Sequence, residues 1–219
     1  MLFRFIRMAR RFSFDSQQQS VPKKYFMFID TPRRILFIHN PKTAGLAIAK
    51  AIGLSESRPL GMAHLTSQVV RNAILQASWD EFYSFCFVRE PVARYYSLYH
   101  YQRSVNYGLL LRENESHRIA RTYNFVEWLY FNIKGGARSN HFGVPQSHWY
   151  RGVKKVFRFE DMASATDELT RDLGATFAVE MRNQGRYPPL DRNALPADAV
   201  EAICDIDHDC MTDYYTSWN

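Results

Sequence analysis

A short, unbroken apolar run, Ile35-Leu36-Phe37-Ile38, and a longer one, Phe82 to Val88, which only Ser84 interrupts, stand in a chain whose other apolar positions mostly recur at helical spacing. A run of this length with so little polar interruption predicts a strand covered on both faces. Each run opens into a helix signal. After the first, Leu46, Ile48, Ala49 and Ile52 predict a helix over 45–52 with Gly53 as its stop. After the second, Pro91 begins a helix that puts Val92, Tyr95, Tyr96 and Tyr99 on one side. A further strand is predicted over 153–159, and further helices over 67–76, 163–173 and 196–214. The alternation predicts an α/β domain over 31–219, a mostly parallel central sheet flanked by helices. A leader and a polar linker are expected over 1–30.

Composition adds little to the fold and more to the partner. The 219 residues are 46% hydrophobic and 23% charged, enough for one sizeable core. The net charge is +6, yet residues 198–213 hold six acids and no Lys or Arg, which leaves the remainder at +12. Such a balance suits an anionic partner without choosing among nucleotide, acidic glycan, nucleic acid or lipid. No nucleic-acid module is recognisable. The three cysteines, Cys86, Cys204 and Cys210, match no zinc spacing and imply no disulfide framework. The opening MLFRFIRMARRF lacks the continuous apolar run of a secretory signal or membrane span. A disordered or partly helical leader is expected, with peripheral membrane contact as the alternative, and a cytoplasmic location for the whole.

The candidate chemistry begins where the first strand ends. Asn40-Pro41-Lys42-Thr43-Ala44-Gly45 joins that strand to its helix, the arrangement in which backbone amides converge on a phosphate. Lys42 adds a mobile cation, and Gly45 allows close approach. The residues alone leave open a phosphate loop and an ordinary strand-to-helix turn. The nucleoside triphosphatase motif is missing, because Lys42 precedes Gly45 and no Gly-Lys-Ser/Thr occurs in the chain.

The segment FIHNPKTAGLAIAKAI resembles the 5'-phosphosulfate loop of sulfotransferases that use 3'-phosphoadenosine 5'-phosphosulfate (PAPS), in the branch with carbohydrate O-sulfotransferases. A second segment, FCFVREPVARYYSLYHYQR, is similar to that family's 3'-phosphate-binding strand, Arg-x-Pro and helix. The resemblance covers about 35–215 and implies a P-loop-like strand-loop-helix. It implies cofactor contacts from Pro41, Lys42, Thr43, Ala44, Gly45, Leu46 and Ala47, with Arg89 and Ser97 on the 3'-phosphate. Lys42 would stabilise the departing phosphate oxygen. His64, in Gly61-Met62-Ala63-His64-Leu65-Thr66, is the expected general base, since imidazole can take the proton of a weakly acidic hydroxyl. His39, which abuts the loop, is the alternative base. Pro145-Gln146 resembles an element near the acceptor site, so Gln146 is expected to orient substrate or to cap a loop. Arg158-Phe159-Glu160-Asp161 resembles a strand end, with Arg158 and Glu160 as an expected ion pair.

The implied reaction is in-line sulfuryl transfer from PAPS to a hydroxyl acceptor, leaving the product PAP and requiring no metal. The match departs after the loop glycine, where the family's hydroxyl residues are replaced by Leu46 and Ala47. A weakened nucleotide- or glycan-binding relative is therefore one alternative, and a P-loop-type phosphotransferase is the other. Loops over 106–123 and 135–151, with Arg112, Arg118, Arg138 and His141, are expected to choose the acceptor, an acidic glycan, lipid or small metabolite. The Asp205, Asp207 and Asp209 tract has Cys210 and Thr216 where a calcium loop needs Gly and Glu, and is expected to be a solvated helix face.

Overall fold

The computed structural model describes residues 28–54, 64–73, 78–104, 115–135, 142–177, 179 and 187–216. Four strands form one mixed sheet in the order β1 (Phe28–Asp30), β2 (Ile35–Ile38), β3 (Tyr83–Val88) and β4 (Lys155–Arg158). β2, β3 and β4 run parallel, and β1 pairs antiparallel with β2. β1 lies inside the stretch expected to be leader. Three residues are too few to show an alternation, and the strand is held by a tight turn instead. Asp30 Oδ1 accepts from Arg33 N–H at 2.9 Å, and Arg34 takes a positive φ of 53° before β2 begins.

Strand periodicity then sorts the core into two layers. Ile35, Phe37, Phe85, Phe87 and Phe157 face α1 (Gly45–Ala51), through Ile48, Ala49 and Ile52, and a later helix over 162–173 through Ala165 and Leu169. Leu36, Ile38, Cys86 and Val88 face the other way. They pack on Val70 of α2 (Ser67–Ala73), on Trp149 and Tyr150, and on Cys210 and Tyr215 near the C-terminal end. Because both faces are covered, β2 reads as a continuous apolar run and β3 as one broken only by Ser84, whose hydroxyl accepts from Lys154 N–H at 3.0 Å.

A third cluster is built mainly from helices. α3 (Pro91–Ser104) packs Val92, Tyr95, Leu98 and Tyr99 against Ile119 of α4 (Glu115–Thr122) and against Phe125, Trp128 and Leu129 of α5 (Phe125–Ile133). Glu90 caps α3: its carboxylate accepts from Val92 N–H at 3.0 Å and Ala93 N–H at 2.7 Å. The capping box of Asn124 and Glu127 starts α5. α4 occupies part of the stretch expected as an acceptor loop over 106–123. The other expected loop, 135–151, contains α6 (Ser147–Tyr150). Arg118 is exposed on α4, 3.9 Å from Glu115, whereas Arg112, Arg138 and His141 lie outside the described residues, as do the expected leader over 1–27 and Gly61 to Ala63.

α7 (Met162–Leu173) follows β4, and the expected late helix is two, α8 (Ala197–Ile206) and α9 (His208–Tyr214). The break falls at Asp207, and it corrects the reading of that acidic tract. Asp205 is exposed, but Asp207 is fully buried and turned into the protein. Arg158 Nε lies 3.1 Å from Asp161. Glu160 accepts from Glu90 N–H at 2.9 Å and from the Tyr215 hydroxyl at 2.7 Å. Among the described residues no helix is long and apolar enough to cross a membrane.

Candidate functional site

Three parallel strands end on the same side of the sheet, and each delivers a residue there. β2 leads into His39 and the loop, β3 into Arg89, and β4 into Phe159. The carboxyl ends of parallel strands are where open α/β sheets bind ligands.

The loop is shaped by two residues in the left-handed region. Lys42 has φ 70° and Ala44 has φ 58°, a conformation that costs a non-glycine residue roughly 1–2 kcal/mol. Residues of this conformation turn successive amides toward a common concave side. The first helical bonds run from Ala47 and Ile48 N–H to Ala44 O, so the amides ahead of them stand at the helix opening. Pro41 and Thr43 are buried. The Thr43 hydroxyl donates within the loop to Asn40 O at 2.8 Å, so its contribution outward is its backbone. Leu46 is 37% exposed at the helix start and Ala47 half-buried, and neither carries a side-chain donor.

Lys42 extends over the ring of Tyr101, with Nζ 4.1 Å from the centroid. Tyr101 lies one helical turn beyond Ser97, so both sit on the α3 face turned to the loop. Ser97 is nearly buried there and Tyr101 is half exposed. Arg89 Nη1 donates to Lys42 O at 3.2 Å, and the guanidinium lies over Phe159 at 4.4 Å. Burial, with the nearby Arg89 charge as the smaller cause, pushes the Lys42 ammonium down to about 8. Among the described residues neither cation has a carboxylate partner, and Arg89 Nε is buried without a hydrogen bond. Two adjacent cations with donors to spare suit an anion carrying several charges.

His64 is held beside this loop by two bonds. Its Nδ1 meets His39 O at 3.2 Å, and its carbonyl accepts from Trp149 Nε1 at 3.0 Å. A carbonyl can only accept, so the neutral ring carries its proton on Nδ1 and its lone pair on Nε2. The His64 and His39 rings approach to 4.4 Å between centroids. His39 in turn lies against Gly45. A Cβ at position 45 would stand 1.9 Å from His39 Cδ2. Gly45→Ala is therefore expected to displace His39 and to destabilise the fold by about 1–3 kcal/mol, read as a Tm several degrees lower in a thermal melt.

Gln146 is placed at the centre of the site but away from its surface. It is fully buried, and its Oε1 accepts from Asn40 Nδ2 at 2.8 Å and from Arg89 N–H at 3.0 Å. Its Nε2 donates to Arg89 O at 2.7 Å. The side chain thus ties the end of β2 to the end of β3, and it has no exposed surface for an acceptor. Asp207 stands behind it, accepting from Gln146 N–H at 2.6 Å and from Arg94 Nη2 at 3.2 Å. Sequence reasoning missed Tyr101, Phe159 and this buried carboxylate. Comparison with family models, with curated proteins and with solved structures returns no match.

Proposed function

We propose that the protein transfers a sulfuryl group from PAPS to a hydroxyl acceptor. The observation that carries the reading is the convergence of Lys42 and Arg89, without a carboxylate partner among the described residues, at the left-handed turn that opens α1. The loop amides from Thr43 to Leu46 and the Lys42 ammonium hold the 5' end of the nucleotide, and Arg89 with Ser97 holds its ribose phosphate. His64 Nε2 takes the acceptor proton as the acceptor oxygen bonds to sulfur. The bond from sulfur to the phosphate oxygen breaks, and Lys42 neutralises the charge left on that oxygen. The products are the sulfate ester and PAP.

Leu46 and Ala47 favour a second reading, a relative that binds the nucleotide weakly and does not turn over. Calorimetric titration of PAP, without metal, separates the two. Under the transferase reading the wild type binds PAP, and Lys42→Ala and Arg89→Ala each lose roughly tenfold in affinity, the scale of a charge-assisted hydrogen bond. Sulfate transfer to a screened acceptor, abolished by His64→Ala, completes the case. Binding of PAP with no transfer to any acceptor supports the binding relative. A folded wild type that ignores PAP and is stabilised by ATP with magnesium points to a phosphotransferase instead.

A further inference from the structure

Resting on the reading above, the geometry points to Phe159 as a positioning residue that sets the preference for nucleotides carrying a phosphate on the ribose, acting through Arg89. Arg89 is restrained at three points. Gln146 grips its backbone on both sides, by N–H to Oε1 at 3.0 Å and by Nε2 to its carbonyl at 2.7 Å. Its Nη1 reaches Lys42 O at 3.2 Å. Its guanidinium then lies over the Phe159 ring at 4.4 Å. The first pair holds the backbone, the second pins one end of the fork, and the ring supports the whole of its face.

The plane of the fork matters because a guanidinium recognises a phosphate through in-plane N–H donors, two at a time. A flat aromatic surface beneath it leaves those edge donors directed sideways, where a ligand can meet them, and an aliphatic side chain of the same bulk does not. The platform is itself well held. Phe159 follows the last residue of β4, between Arg158, whose Nε lies 3.1 Å from Asp161, and Glu160, which accepts from Glu90 N–H and the Tyr215 hydroxyl. The ring thus sits on a strand end bonded to the residue after Arg89 itself. Lys42, the other cation, rests on a different ring, Tyr101, so the two charges are aimed independently.

The test compares PAP with adenosine 5'-monophosphate, which lacks the ribose phosphate, by calorimetric titration into the full-length protein. The expected result is a wild-type preference for PAP that falls about 3- to 10-fold in Phe159→Leu, through weaker PAP binding with the monophosphate unchanged. Phe159→Tyr, which keeps the ring, is expected to restore the preference. In an Arg89→Ala background Phe159→Leu is expected to cause no further loss. Phe159→Met serves the same purpose if the leucine variant does not fold. Equal weakening of both nucleotides, an unchanged preference, or a further loss in the Arg89→Ala background would each overturn the role of Phe159 while leaving the nucleotide site standing. A wild type that binds both nucleotides equally would overturn the assignment of Arg89, and this inference with it.

Discussion

Asp207→Ala is expected to destabilise the protein by about 3–5 kcal/mol, the cost of leaving a buried charge without its partner. Arg94 and Asp207 are 2% and 0% exposed, and the carboxylate also holds Gln146 at its backbone N–H. Removing it leaves the buried Arg94 guanidinium, which keeps Val144 O at 3.1 Å and the Tyr95 ring at 4.9 Å, without its charge partner, and loosens the amide that joins Asn40 to Arg89. At about 2–4 °C per kcal/mol for a chain of this size, the melting temperature should fall by roughly 6–20 °C. Replacing both members, Arg94→Met with Asp207→Leu, is expected to cost much less in stability while still weakening nucleotide binding, because Gln146 would have lost its anchor. A melt of Asp207→Ala within a degree or two of wild type would refute the account.

The second large effect follows from Lys42. Its ammonium is depressed from the ordinary 10.5 to about 8 by burial and by Arg89, so the free protein loses the charge it needs as pH rises through 8. For a transferase working as proposed, kcat/KM should descend with unit slope above pH 8 and be down about a hundredfold at pH 10. Lys42→Arg, charged throughout, should abolish this limb whatever its absolute rate. The stability of the fold moves the opposite way. A lysine whose folded pKa lies below its unfolded value burdens the native state fully below pH 8, and the burden disappears as pH rises toward 10.5. Bound PAPS, by favouring the charged form, should shift the kinetic pKa upward in the profile of kcat. A flat profile from pH 7 to 10 would remove Lys42 from the chemistry.

Much of the sheet was legible because β2 and β3 are covered on both faces and are apolar throughout but for Ser84. β1 was not, since Phe28-Ile29-Asp30 has neither length nor alternation and owes its place to pairing with β2. The helix over 125–133 went unpredicted, although Asn124 and Glu127, three residues apart at the start of an apolar stretch, form its capping box. The loop, Arg89 and His64 were singled out by the resemblance of short segments to sulfotransferase motifs, and the structure sets Lys42 beside Arg89 and His64 beside His39. Their supports were not, because Tyr101 and Phe159 act through ring faces, and many positions carry aromatics. Asp207 is the instructive case. Its neighbours in sequence are acidic, which argues for solvent, yet Ala199, Ile203 and Cys210 recur at helical spacing, and position 207 falls on that same inner face. Periodicity outweighed composition there.

The buried amide of Gln146 has a kinetic consequence. It joins stretches of chain around residues 40, 89, 146 and 207, separated by 57 to 106 positions in the bonds it makes to Asn40, Arg89 and Asp207. Contacts so distant along the chain close late, after the entropy of the intervening loops has been lost. A chain with its strands already paired but its last helices undocked would hold Asn40 and Arg89 with the strut between them unanchored, because Asp207 is not yet in place. Such an intermediate should neither bind a nucleotide nor be rescued by one. Any ligand of this site therefore acts on the completed fold alone, slowing its unfolding without hastening its formation.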